Sequence, residues 1–514
     1  MSSSYTPIAN VTAAGQTNVG ALFHSGALAR PDHIALTDDD RTLNYRQLDD
    51  RSNRAAHVFM SLGLEPQDRV AILSGNCSEY FEVELGAAKA GMIVAALNWR
   101  LGDRELQHCI DLVAPKLLIV SAALATSLAN LDLGDMRCVV LGQEYQQLLA
   151  DADSGFPDLP IDPESGLVIL YTSGTTGLPK GALISHRAMI ARGLMFTSEL
   201  GIPSGNHFIA WAPMFHMVST DQGLATLMRG GTVHMVDGYQ PQRIIALMER
   251  YPMRWLVMIP GMVAEFVAAL KERPVQLQPV DMIGAMADLI PREHIAAATI
   301  ALNAPFLNTF GATETGLAPA TGSLIPIGAT PERLPKRQSA FCDVRLVDAD
   351  DNEVAIGEPG EVAISGPSLF SGYWDNEAVN VSDFRGGRFH MGDVLRRNAD
   401  GTLEYVDRVK YMIKSGGENI YPAEIEQVIE SDERIEAAIV VRKAHQRWGE
   451  VPVLFVVPRD ATLSQGEVIA MCERDLSHYK RPREIHFMAD ADLPRSTTGK
   501  IQRHILEERL EEKA

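Results

Sequence analysis

Cysteine is scarce. The 514-residue chain has five, Cys77, Cys109, Cys138, Cys342 and Cys472, and no two stand in a C-x-x-C spacing. An odd, scattered set supports neither a disulfide framework nor a zinc site, and it fits a reduced, cytoplasmic setting. No run approaches the roughly 18 uninterrupted apolar residues of a membrane span. The opening MSSSYTPIANVTAAGQTN has no basic region followed by an apolar one, so it does not read as a secretory signal. Basic charge is also in deficit, with 46 Lys+Arg against 66 Asp+Glu and a net charge of −20. That balance argues against general adhesion to nucleic acid or anionic membrane. The deficit is uneven: from Arg408 onward 17 Lys+Arg face 19 Asp+Glu, so this near-neutral stretch can approach an anionic ligand at less electrostatic cost. Neither a Walker A loop nor a kinase H-R-D set occurs.

What is present is an ordinary globular composition, 46% hydrophobic and 22% charged. The length implies two or more domains. Residues 1–17 read as a loose polar arm. Then NYRQLDDRSNRAAHVFMSLG (44–63) has helical spacing, with Thr42 as its expected cap. Apolar runs at 69–76, 92–98 and 116–121 read as buried strands, with a helix between the first two at 78–91. Continuous apolar strands separated by helix-length segments imply parallel βαβ units. The segment 151–165, rich in Pro, Asp and Ser, reads as a loop, and strand signals resume at 232–237, 254–260 and 305–311. From about 340 short β-rich runs broken by Asp, Gly and Pro indicate antiparallel structure, including SLFSGYW (368–374). After Asp407 mixed helix and strand return.

One string stands out, YTSGTTGLPKG (171–181). Gly174 and Gly177 permit positive φ, so backbone N–H groups can converge on an anion. Thr172, Ser173, Thr175 and Thr176 add short donors, and Lys180 adds charge. On composition alone a plain surface turn is a better reading than a phosphate cradle. The full string, however, resembles the phosphate loop of the adenylate-forming superfamily, which includes acyl-CoA synthetases, peptide-synthetase adenylation domains and beetle luciferases. The resemblance extends over nearly the whole chain, because further signatures follow in order: PMFH (213–216), NTFGATETG (308–316), FHMGDVL (389–395), DRVKYMIKSGGENIYPAEIE (407–426) and PRSTTGKIQR (494–503).

The resemblance implies an α/β fold. A large N-terminal domain (18–407) would carry parallel βαβ sheets and a β-rich subdomain at about 325–407. A small mobile α+β domain (408–514) would follow, hinged near Lys410. It also implies residue roles. His216, which by itself reads better as a packed core histidine, would line the carboxylate site, with Met217, Val218 and Met286 in the acyl pocket. Glu314 and Thr172 would serve Mg²⁺, and Thr313 would contact phosphate. Asn308, Thr309, Phe310 and Gly284 would border the adenine, and Asp393 and Arg408 would meet the ribose or phosphate. Ser415, Gly416 and Gly417 would border the pantetheine channel of CoA, and Lys500 would be the catalytic lysine. Three positions depart from the pattern: Phe310 replaces a common Tyr, Met391 a frequent Thr, and Gly284-Ala285 a glycine pair.

The implied activity is ligation of a hydrophobic acid (fatty, alicyclic or aryl) to CoA, using ATP and Mg²⁺. No Gly-Gly-x-Ser carrier site is present, which favours free CoA. A separate carrier protein as acceptor, or a catalytically silent nucleotide-binding protein, are the alternatives. A homodimer is compatible with all of these.

Overall fold

The structure, a computed structural model, describes residues 15–39, 41–172, 178–415, 418–460, 462–495 and 501–511. Ser173, Gly174, Thr175, Thr176, Gly177, Gly416, Gly417 and Lys500 lie outside the described residues. The chain divides into two compact units, Met1–Val344 with Ile364–Phe389, and Arg345–Ala363 with His390–Ala514.

The first unit is built on the predicted apolar runs. Arg69–Leu73, Ile93–Ala96, Leu117–Ser121, Arg137–Leu141 and Gly166–Thr172 form a parallel sheet, to which Lys180–Ser185 adds an antiparallel edge. The parallel strands at its centre are buried on both faces, which is why Val, Ile, Leu and Ala run through them without alternation. A second sheet joins Thr42–Asn44, Ile34–Thr37, Thr232–Met235 and His207–Ala210. A third joins Leu256–Val257, Ile283–Ala285, Phe306–Asn308 and Ser323–Ile325. The strand expected over 254–260 shortens to Leu256–Val257, because Pro260 opens a 3₁₀ turn.

The helix Tyr45–Ser61 is capped by Asn44, not by Thr42. Asn44 Oδ1 accepts from the Gln47 N–H at 2.8 Å, and Gln47 Oε1 accepts from the Asn44 N–H at 2.9 Å. Thr42 sits two residues too early, paired in the strand Thr42–Asn44. The reciprocal pair satisfies two helix N–H groups that Thr42 cannot reach.

Two buried histidines give this unit an acid sensitivity. His186 opens the helix His186–Glu199, accepts from the Val19 N–H at Nδ1 (3.2 Å), and is pushed down to about 4 by burial. His234 lies against Thr37 Oγ1 (2.7 Å) and His207 (3.1 Å), and is pushed down to about 3 by burial, then by the charges of His207 and Arg243. Both pKa values fall below the unfolded value. Their contribution to stability is therefore complete above about pH 6.5 and is lost as pH falls toward 4 and 3. Between pH 7 and 5 each is expected to cost about 2 kcal/mol. His186→Asn keeps an acceptor for Val19 but cannot protonate. Denaturant titrations at the two pH values should show that it recovers roughly one histidine's share of the loss; an unchanged acid response would refute this.

In the second unit, one sheet runs in the order Asp343–Val347, Pro359–Ser365, Phe389–Arg397, Leu403–Arg408. Another pairs Ile435–His445 with Gly449–Pro458 over ten registered positions, flanked by Glu484–Phe487 and the short hairpin Ile413–Ser415/Glu418–Ile420. The helices Pro422–Glu430 and Gln465–Asp475 cover this sheet with Ile425, Ile429, Val468 and Met471.

Candidate active site

The phosphate-loop string begins and ends on paired strands. Gly166–Thr172 and Lys180–Ser185 pair antiparallel, with Thr172 directly opposite Lys180. Lys180 is therefore held on a strand rather than a loop. Its outer edge takes up residues 371–374: Ser371 N–H donates to Leu183 O (2.7 Å), Leu183 N–H to Gly372 O (3.0 Å) and Trp374 N–H to Gly181 O (2.8 Å). Tyr373 is thereby placed under Lys180, whose Nζ lies 3.7 Å from the ring centroid.

The NTFGATETG string leaves the strand Phe306–Asn308, which lies parallel to Ile283–Ala285. The two backbones approach closely at Gly284, where a Cβ would lie 2.8 Å from Leu307 O. Asn308 is wholly buried. Its Oδ1 accepts from the Ala287 N–H (3.1 Å), and its Nδ2 donates to Leu334 O (3.0 Å). The amide is thus a strut inside the unit, tying the strand end to the backbone at Ala287 and Leu334. Thr309 and Phe310 are also buried, and the Phe310 backbone exchanges hydrogen bonds with Thr321 Oγ1 at 3.0 and 3.2 Å.

Glu314 is nearly buried, at 9% exposure. Its Oε1 accepts from the Tyr373 hydroxyl at 2.8 Å, and its backbone carbonyl accepts from the Phe370 N–H at 2.9 Å. Lys180 and Glu314, far apart in sequence, are thus joined through one tyrosine ring. Oε2 of Glu314 takes no hydrogen bond among the described residues. A carboxylate so held, beside a lysine-bearing hairpin, suits Mg²⁺, which takes one or two carboxylates together with substrate phosphates. Among the described residues no three His, Cys, Asp or Glu side chains gather into an all-protein cage.

The loop is braced by Arg192, which is 3% exposed. Its Nη2 donates to Thr313 O (2.9 Å), its Nε to Ser368 O (2.9 Å) and its Nη1 to Asp221 Oδ2 (3.2 Å). Gly316 has φ +69°, and a Cβ there would lie 2.8 Å from Arg192 Cγ. Burial pushes Asp221 up, opposed by the Arg192 charge. Glu84, with neither oxygen hydrogen-bonded, is pushed well up by burial and by Asp221. Tyr373, Arg192 and Asp221 belong to this site although no local sequence signal marks them.

His216 is exposed and caps the helix Met217–Met228, its Nδ1 accepting from the Val218 N–H at 3.4 Å. Met217 is buried, and Val218 and Met286 are half-buried. The hydroxyls that follow are consumed by backbone: Ser219 Oγ donates to Ala212 O (2.6 Å) and Thr220 Oγ1 to Met214 O (2.5 Å). What this helix start offers a substrate is therefore mainly apolar.

In the second unit Asp393 and Arg408 are cross-strand partners, with Nε to Oδ1 at 2.8 Å and Nη2 to Oδ2 at 3.2 Å. Asp407 accepts from the N–H groups of Arg408 (2.7 Å) and Ala423 (2.8 Å), and burial pushes it up to about 6. Lys410 is exposed, with its Nζ 4.8 Å from the Tyr411 ring centroid. Ser415 pairs with Glu418 and Gly449. Of the basic run 480–483, Lys480 is paired with Glu424 (2.6 Å) and Arg481 with the carbonyls of Leu476 and Glu473.

The pattern of the AMP-binding enzyme family matches residues 23–374, and that of the AMP-binding enzyme C-terminal domain matches 424–500. The chain belongs to the AMP-binding enzyme family, in the CoA-ligase branch of the adenylate-forming superfamily, and is an AMP-forming acid–thiol ligase. It is 32% identical over 476 residues to a feruloyl-CoA synthase of an Amycolatopsis species, covering 92% of this chain and 94% of the relative. It is 29% identical over 492 residues to an indoleacetate–CoA ligase of Aromatoleum aromaticum, covering 93% and 95%. Among solved structures, a Mycobacterium tuberculosis fatty acyl CoA synthetase superposes with a TM-score of 0.77 at 26% identity, covering 96% and 99%. No helix among the described residues is long and apolar enough to cross a membrane.

Proposed function

We propose that this enzyme joins a hydrophobic carboxylic acid to CoA in two steps through an acyl-adenylate. In the first, a carboxylate oxygen attacks the α-phosphorus of ATP, and the bond to pyrophosphate breaks. In the second, the sulfur of CoA attacks the acyl carbon, the bond to AMP breaks, and the thiol proton leaves to solvent. An acid activated in this way carries a good leaving group in place of oxide.

The observation that supports this reading is the junction of Lys180 with Glu314 through Tyr373, one tyrosine touching both a cation and a carboxylate. Lys180 would neutralise phosphate oxygens, with the 172–177 hydroxyls and N–H groups as donors. Glu314, with Thr172, would hold Mg²⁺, which when bound supplies positive charge to the ATP phosphates. Asp393 accepts readily from ribose hydroxyls, and Arg408 already holds that carboxylate in position. Lys500 would meet charge developing on the α-phosphate, and Ser415, Gly416 and Gly417 would border the pantetheine arm. The domain boundary near 408 and a pivot at Lys410 belong to the same proposal and rest on the family resemblance.

The substrate is proposed to be a hydrophobic acid, fatty, alicyclic or aryl. Two features support this: the apolar set Met217, Val218 and Met286, and the engagement of Ser219 and Thr220 by backbone. The relatives named above act on aryl-bearing and fatty acids alike, in keeping with an apolar pocket whose shape sets the choice. Carboxylate-dependent ATP–pyrophosphate exchange over a panel of fatty, cyclic and aromatic acids is the test. Exchange with at least one apolar acid, followed by CoA-dependent release of AMP, is expected. Exchange driven only by amino acids or small polar diacids would overturn the substrate reading, and no exchange with any acid would overturn the reaction.

A further inference from the structure

We propose that Tyr373 is a positioning residue for the nucleotide site, setting the metal-ligand carboxylate with its hydroxyl and the phosphate lysine with its ring. The inference rests on the reading that Lys180 and Glu314 handle ATP with Mg²⁺. It assigns a role to the SLFSGYW stretch, which stood out in the sequence only as β-rich.

Three observations carry it. The Tyr373 hydroxyl donates to Glu314 Oε1 at 2.8 Å in a site where the tyrosine is 5% exposed. A buried bond to one oxygen fixes the carboxylate plane and leaves the other oxygen, Oε2, for a cation that arrives. Next, the Lys180 ammonium lies 3.7 Å from the ring centroid, close enough for the ring face to hold the charge in place. Finally, Tyr373 itself is tightly anchored. Its N–H donates to Asn380 Oδ1 (2.7 Å), its carbonyl accepts from Asn380 Nδ2 (2.8 Å), and its neighbours are bonded to the 181–183 edge and to the Glu314 carbonyl. A side chain held this firmly transmits its position to the two groups it touches. A tyrosine that only filled the core would need neither the carboxylate nor the lysine.

Two variants separate the functions. Tyr373→Phe keeps the ring and deletes the hydroxyl, whereas Tyr373→Leu removes both. Calorimetric titration of ATP into the full chain, once with excess Mg²⁺ and once with EDTA, reads them out without turnover. Tyr373→Phe should weaken ATP binding about five- to tenfold in Mg²⁺ while leaving binding in EDTA within about twofold. In steady state its half-activating Mg²⁺ concentration should rise, with the KM for the acid unchanged. Tyr373→Leu should weaken binding under both conditions. In a Glu314→Ala background the Phe change should have no further effect, because its partner is gone. Equal binding by wild type and Tyr373→Phe in Mg²⁺, or an equal loss in Mg²⁺ and EDTA, would overturn the proposal while leaving the ligase reading intact. Failure of the wild type to bind ATP under either condition would overturn both. Should Tyr373→Leu not fold, the Phe variant, one oxygen smaller, still decides.

Discussion

Lys500→Ala is expected to slow acyl-adenylate formation about 10²- to 10³-fold while leaving thioester formation from a preformed acyl-adenylate within about tenfold. The asymmetry follows from where charge develops. Attack of a carboxylate on the α-phosphorus loads negative charge onto phosphoryl oxygens already bearing formal charge, and a cation aimed there is worth about 3–4 kcal/mol in the transition state. In the second step the sulfur attacks an acyl carbon, and charge grows on a carbonyl oxygen and the departing AMP, so the same ammonium has less to stabilise. Single-turnover measurements of the two half-reactions, the second started from synthetic acyl-adenylate, check the split. Equal losses in both steps would remove Lys500 from the role that the resemblance implies.

Arg192→Met should be the most damaging single change to stability, costing about 3–5 kcal/mol. The guanidinium is buried, and three of its N–H groups are committed, to Thr313 O, Ser368 O and the Asp221 carboxylate. Removing it strands a carboxylate that burial already pushes up, close to Glu84, whose oxygens take no hydrogen bond. Asp221 would then fold only by taking up a proton. The double variant Arg192→Met/Asp221→Leu leaves no charge behind and should recover a substantial share of the loss, since apolar replacements of buried ion pairs are often near neutral. Denaturant midpoints of the two variants measure this; a double variant no better than the single would show that the pair is not the source of the cost. ATP affinity should remain reduced in the double variant, because the Thr313 carbonyl has lost its brace.

How much of this molecule could be read in advance depends on the distance over which the information is written. The parallel core strands announce themselves because each is buried on both faces, so Val70–Leu73, Ile93–Ala96 and Leu117–Val120 are apolar residue after residue. The family strings are equally local. Thr172 to Lys180, Asn308 to Glu314 and Asp407 to Ser415 are each short stretches of the chain, and their spacing carries the resemblance. Local reading fails where two short-range options compete. Thr42 and Asn44 are both good caps, and Asn44 holds the position because Gln47, three residues on, returns the hydrogen bond to its N–H. Nor does any local pattern show that the Asn308 amide bonds the backbone at Ala287 and Leu334.

The sequence by itself determined the alternation of strands and helices, the acidic balance, the family and the candidate groups for the chemistry. Only the tertiary structure decided how those groups are held: Tyr373 on Glu314 across 59 residues, Arg192 on Thr313 across 121, and Arg408 on Asp393 through strand register. The physical reason is that periodicity and turn chemistry act within a few residues. A buried hydroxyl, guanidinium or carboxylate must find its partner wherever packing leaves one, and no local pattern records where that will be.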